Sequence, residues 1–231
     1  MDKRRASVLR TLGVDRYSAR AQRAIASAEH VALAHQGVTD DAIAAFGWEE
    51  LGATVGACTR CALSTTRTNT VFGVGDRRAR WFVVGEAPGA DEDAQGEPFV
   101  GRGGQLLTSV LRAARLSREQ VFIANVLKCR PPDNRNPTPD EVRCCRPYLE
   151  RQIALVKPSL IFCVGQIAAQ SLLGVDTPIG KLRGAVHQYG PDKIPTVVTY
   201  HPAYLLRSPR NKQKTWDDLR FAMGVAGGVG A

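Results

Sequence analysis

The chain lacks any apolar run approaching the ~20 residues that a bilayer-spanning helix needs, so no membrane span is expected. Its opening stretch, MDKRRASVLRTLG, lacks the continuous apolar segment of a secretory signal, which predicts a cytoplasmic protein. There is no internal repeat. No GxxxxGK[ST] or GxGxxG motif stands at the first strand-to-helix junction, which counts against a nucleotide phosphate loop there. What is present is ordinary for a folded chain: 231 residues, 44% hydrophobic and 23% charged, enough for one large domain or two small ones with a real core. Lysine and arginine number 31 against 22 acidic residues, and the net charge of +9 favours a polyanionic partner without specifying any chemistry.

Residues 1–50 form a basic, Ala-rich segment of helical composition, read as an extension ahead of a domain spanning 51–223. Within the domain the pattern alternates. WFVVG, from Trp81 to Gly85, is a continuous apolar run ending at glycine, as in a strand buried on both faces. VFIANV, SLIFCVG, AVHQY and IPTVVTY read as further strands, and GGQLLTSVLRAARL, PTPDEVRCCRPYLERQIALV, QIAAQSLLG and KQKTWDDLRFAM as helices. This order predicts an α/β protein whose mainly parallel central sheet is flanked by helices, with chemistry collected at the carboxyl ends of the strands. Residues 224–231, GVAGGVGA, read as a flexible tail.

The six cysteines are not expected to form disulfides, which a reducing compartment does not sustain. Cys58 and Cys61 make a two-thiolate grip whose short turn lets both sulfurs face one metal centre, and Cys129 with either Cys144 or Cys145 would complete four. Four soft sulfur ligands suit zinc and an iron–sulfur cluster alike. Cys163, inside SLIFCVG, reads as a small core residue.

Three motifs fall at strand ends. In GEAPGADEDAQGEPFVGRGGQLL the glycines permit close backbone approach, Phe99 offers a stacking face for a base, and Glu86, Asp91, Glu92 and Asp93 would repel a phosphate. A plainer reading leaves those carboxylates on a solvated loop. Asn125 ends VFIAN; its amide offers one donor group and one acceptor, the complement of O4 and N3–H on uracil and the reverse of cytosine. His201 opens HPAYLLR opposite the first loop, and Leu205, Leu206 and Arg207 follow in what reads as a loop outside the core. Leucines beside basic residues suit a wedge that pushes a base out of a DNA stack. Lys128, Arg130, Arg135 and Lys181 are candidate phosphate contacts, His187 reads as structural, and His30 and His35 carry no catalytic reading.

Together GEAPGADED, PFVGRGGQLL, NVLKCRPPDNRNPTPDEVRCCRPYL and HPAYLLR resemble the family 4 uracil-DNA glycosylases of the iron–sulfur type, over roughly Cys58 to Met223. The resemblance implies a three-layer fold and a [4Fe-4S] cluster, zinc being the alternative. The cluster would sit on Cys58, Cys61, Cys129 and Cys145, the last standing directly before Arg-Pro-Tyr-Leu as the family cysteine does. It also implies excision of uracil from DNA, initiating base excision repair. Uracil would stack on Phe99, be read by Asn125 and meet His201 at O2, with the Gly85–Glu86–Ala87 backbone lining the pocket and Leu205 or Leu206 as wedge. Where family 1 relatives carry a water-positioning aspartate this chain has Ala87, which points to dissociative cleavage. His201 and Glu86 are then the candidate catalytic side chains, with Glu86 or Glu92 orienting water. Neither a KRRIH insertion nor a clear lyase lysine is present, so the expected product is an abasic site. The expected partner is uracil-containing DNA, the expected state a monomer away from membranes. The competing reading is a non-catalytic iron–sulfur or zinc nucleic-acid-binding protein, which would not need Phe99, Asn125 and His201 at three separate strand ends.

Overall fold

The computed structural model describes residues 38–228; the expectations for residues 1–37 and 229–231 lie outside it. In chain order the elements are α1 (Asp40–Ala45), α2 (Trp48–Gly56), β1 (Val74–Gly75), β2 (Trp81–Gly85), α3 (Ala90–Gln95), α4 (Arg102–Ala113) and β3 (Phe122–Asn125). There follow α5 (Pro139–Val156), β4 (Leu160–Val164), α6 (Gln166–Leu173), α7 (Ile179–Leu182), β5 (Val186–Tyr189), β6 (Ile194–Thr199), α8 (Pro202–Arg207) and α9 (Lys212–Gly228). The strands form one sheet in the order β1-β3-β2-β4-β6-β5. β3, β2, β4 and β6 run parallel, and β1 and β5 close the two edges antiparallel. The expected α/β class and mainly parallel sheet are borne out.

The apolar runs form strands because both faces of the sheet are covered, and the two-residue period of a strand sends alternate side chains to opposite layers. Phe82, Val84, Phe122, Ala124, Ile161 and Cys163 pack on one face with Tyr148, Leu149 and Ile153 of α5. Trp81, Val83, Ile123 and Phe162 pack on the other with Leu107 and Leu111 of α4 and Leu219 and Ala222 of α9. Each such fully buried large side chain contributes about 1.5–3 kcal/mol of transfer free energy. Cys163 is completely buried there, a core residue as read. The long helix α5 starts where its sequence says it should. Thr138 accepts from the Glu141 amide, Glu141 accepts from the Thr138 amide, and Pro139 takes the first position, where its missing N–H costs nothing.

Three local expectations change and one alternative reading drops out. Ile43, Leu51 and Val55 are completely buried, so the packing of the domain reaches back to Asp40, ahead of the boundary at residue 51. Helix α9 continues to Gly228, with Ala226 buried and its carbonyl accepting from Arg80 at 3.1 Å, so the first part of the tail is helical rather than flexible. The acidic GADED segment is no solvated loop: Gly89 caps α3, and Asp93 is buried, accepting from the Thr68 amide at 2.9 Å and the Asn69 amide at 3.3 Å. HPAYLLR forms the short helix α8 rather than a loop.

Candidate active-site cleft and sulfur cavity

The carboxyl ends of β2, β3 and β6 open onto a cleft of about 500 Å³ lined by Glu86, Ala87, Glu92, Phe99, Asn125 and His201, among others. β2 and β3 are in register with Gly85 opposite Asn125. A Cβ on Gly85 would lie 2.3 Å from Asn125 Oδ1 and 2.4 Å from Phe99 Cζ, so the absent side chain is what lets these two groups flank the strand end. Asn125 is 2% exposed and its Oδ1 is buried without a hydrogen-bond partner. Leaving an acceptor unpaired in this way costs about 1–3 kcal/mol, which marks a group held ready for something that arrives.

Phe99 is held in the left-handed region at φ 56°, a strained conformation for an aromatic residue. Its surroundings enforce it. The carbonyl of Phe99 would lie 1.7 Å from a Cβ on Gly104, so only glycine there admits the turn. Arg118 donates to the carbonyls of Phe99 at 3.1 Å and Pro98 at 2.7 Å. Glu92 Oε1 accepts from the amides of Val100 and Gly101, both at 3.0 Å, while Oε2 accepts from Gly89 at 3.0 Å. Glu92 therefore lines the cleft, but its oxygens are occupied in clamping the loop that carries Phe99.

His201 is the N-cap of α8: its Nδ1 accepts from the Ala203 amide at 3.2 Å. That bond makes Nδ1 the unprotonated nitrogen and leaves the hydrogen on Nε2, which makes no hydrogen bond among the described residues. Burial, with a smaller contribution from Arg207, lowers the imidazole pKa to about 4, against a weak opposing pull from Glu92. The ring is thus neutral at physiological pH, and it stands 5.9 Å from the Phe99 ring, centroid to centroid. Gly165 makes room behind it, since a Cβ there would lie 3.1 Å from His201 Cβ. Glu86 is half-buried at the cleft, and burial raises the pKa of its carboxyl.

A second, small cavity is lined by Cys58, Cys61, Cys129, Cys144 and Cys145. Three sulfurs already accept N–H bonds of the kind that stabilise thiolates, Cys58 from the Arg60 amide at 3.5 Å, Cys129 from Arg67 at 3.1 Å and Cys145 from the Lys128 amide at 3.2 Å. Among the described residues no three His, Cys, Asp or Glu side chains are grouped tightly enough to hold one metal ion. Cys145 is buried and Cys144 half-buried, yet both line this cavity.

The structure brings Gly85, Glu86, Ala87, Glu92, Phe99, Asn125 and His201 together around one cleft and the expected cysteines around one cavity. Two expectations are corrected. Leu205 is 1% exposed, because α8 turns it inward, whereas Leu206 is half-buried and Arg207 exposed at the cleft. Lys128 is 1% exposed and in no position to meet a phosphate; burial pulls its pKa down to about 8. Arg135 lies at the cleft but is engaged by Glu141 through bonds of 2.9 and 2.6 Å. Sequence reasoning missed Arg118 and Gly165; a glycine directly after a buried strand was the available signal for the second.

The family model described as the uracil DNA glycosylase superfamily matches residues 72–220. The type-4 uracil-DNA glycosylase of Archaeoglobus fulgidus is 44% identical over 171 residues, covering 71% of this chain and 85% of that protein. The type-4 uracil-DNA glycosylase of Thermotoga maritima is 45% identical over 157 residues, 67% of this chain and 81% of that protein. A type-5 uracil-DNA glycosylase of Thermus thermophilus is 30% identical over 149 residues, 57% and 68% of the two chains.

Proposed function

The chain belongs to the uracil DNA glycosylase superfamily, and on that footing we propose that it hydrolyses the N-glycosidic bond of uracil in DNA, leaves an abasic site, and so initiates base excision repair. The observation that carries the reading is the buried, unpartnered Oδ1 of Asn125, which lines one cleft with an aromatic ring and a neutral imidazole. Uracil supplies what each lacks. Its face stacks on Phe99, its N3–H donates to Asn125 Oδ1, and its O4 accepts from the Asn125 amide N–H. Cytosine presents N3 as an acceptor and an amino group as donor, so both of those pairings reverse. Ala87 offers no carboxylate for strong general-base work, and the bond cleaves dissociatively, with positive charge developing on the sugar and negative charge on the leaving base. His201 Nε2–H donates to O2 as that charge forms, and a neutral imidazole does so without itself giving up a proton. The half-buried Glu86 accepts a hydrogen bond from the water that captures the sugar. Leu206, with Arg207 beside it, occupies the gap left in the stack.

Cys58, Cys61, Cys129 and Cys145 would hold a [4Fe-4S] cluster, which when bound supplies a structural cross-link between the segment after α2, the turn after β3 and helix α5. Zinc, held tetrahedrally by the same four thiolates, is the alternative occupant. The convergence of Cys58, Cys61, Cys129 and Cys145 on one cavity supports this reading. The whole proposal is tested by incubating the protein with an oligonucleotide carrying one uracil and analysing the products by chromatography. Free uracil with an alkali-labile site is expected; a bound but intact oligonucleotide would leave a binding protein.

A further inference from the structure

Lys128 is the one fully buried lysine among the described residues, and taking an ammonium out of water costs several kcal/mol unless its bonds repay it. An unbranched apolar side chain would fill the same space without that cost, so the contacts of the charged head indicate its use. Nζ donates to the main-chain carbonyl of Asn125 at 2.8 Å and to Gln152 Oε1 at 2.6 Å. Gln152 is itself fixed, its amide nitrogen donating to the carbonyl of Phe72 at 2.8 Å. The main chain of Lys128 is pinned from two other sides: its N–H donates to Cys145 Sγ at 3.2 Å, and its carbonyl accepts from the Val71 amide at 2.8 Å. The Oδ1 of Asn125 is buried with no hydrogen-bond partner among the described residues that would orient the side chain.

We propose that Lys128 is a positioning residue for base recognition: its ammonium fixes the Asn125 peptide, and its amide ties that fixed turn to the sulfur cavity. Lys128 does not touch the base. It closes the three-residue turn after β3 and thereby sets where the Asn125 amide stands relative to Phe99 and the uracil edge. The same residue makes the order of the sulfur cavity a condition for accurate placement of the reader, a role for that cavity beyond holding the fold. This inference rests on the glycosylase reading above.

The test compares wild type with Lys128→Met under single-turnover conditions on a one-uracil duplex. Iron content, melting temperature, duplex affinity and inhibition by free uracil are measured alongside. Misplacing a recognition group by ~1 Å costs up to about 10²-fold in rate. The expected result is a 10- to 100-fold slower excision and at least 5-fold weaker inhibition by free uracil, with iron content kept and duplex affinity within twofold. A rate within twofold of wild type overturns the proposal, and so does a slower rate with unchanged inhibition by free uracil or with a matching loss of iron. If Lys128→Met does not fold, Lys128→Arg is read by the same criteria, its longer head displacing the Asn125 carbonyl by a fraction of an ångström; a fivefold slowing with weakened uracil inhibition is expected. A wild-type protein that releases no uracil defeats the glycosylase reading itself, an outcome separate from either variant result.

Discussion

Asn125→Ala separates function from stability in opposite directions. In the folded protein Oδ1 is buried and unpaired, a liability of about 1–3 kcal/mol that disappears with the side chain. The lost packing of a small amide beside the cleft offsets part of that gain. For a domain of this size 1 kcal/mol moves the melting temperature by about 2–4 °C, so the variant should melt at the wild-type temperature or a few degrees above it. Catalysis should fall steeply. The amide makes two hydrogen bonds to uracil, one of about 1 kcal/mol and one strengthened to about 2–3 kcal/mol as the base departs with negative charge. Their sum, about 3–4 kcal/mol, corresponds to a 10²- to 10³-fold slower excision. Differential scanning fluorimetry and single-turnover kinetics read the two quantities on the same sample. A melting temperature lowered by more than about 5 °C would mean that Asn125 serves the fold, and excision within threefold of wild type would mean that it does not read the base.

Three further predictions follow from the same geometry. Gly85→Ala would place a methyl against Asn125 and Phe99 at once, and should abolish measurable excision while duplex affinity in a gel-shift assay stays within about threefold. The folded pKa of His201, about 4, lies below its ordinary 6.5, so the stability carried by the neutral ring is complete above pH 6.5 and is lost as pH falls toward 4. The excision rate should accordingly show no inflection near pH 6.5, while the melting temperature declines between 6.5 and 4 with a slope that His201→Ala reduces. Leu205→Ala should destabilise the fold by about 2–5 kcal/mol in urea unfolding. Leu206→Ala should change stability little and slow excision from duplex more than from single-stranded DNA.

Much of this was legible in the chain, for physical reasons that differ from element to element. WFVVG, VFIAN and SLIFCVG read correctly because strands covered on both faces leave no polar alternation to confuse with a helix. Asn125 and His201 stood out because polar residues directly after such runs sit where parallel strands end. The burial of Asp93 was not legible, since it rests on amides of residues 68 and 69, a tertiary pairing that no local pattern announces. Leu205 and Leu206 were indistinguishable because α8 spans six residues, too few to display a helical period. Lys128 looked like a phosphate contact for the same reason that most lysines do; its burial arises only when α5 and the turn after β3 close over it. β1, at two residues, carries almost no sequence signal, and its place beside β3 depends on the partner strand.

The most direct test of the account is the ratio of single-turnover excision rates for uracil, cytosine and thymine placed in turn at one position of the same duplex. A site whose buried amide must pair with O4 and N3–H should favour uracil over cytosine by at least about 10⁴-fold, while thymine, which carries the same O4 and N3–H, shows whether the cleft also reads the C5 position. Comparable release of uracil and cytosine, or release of neither, would contradict the assignment of Asn125 as the reader of the base.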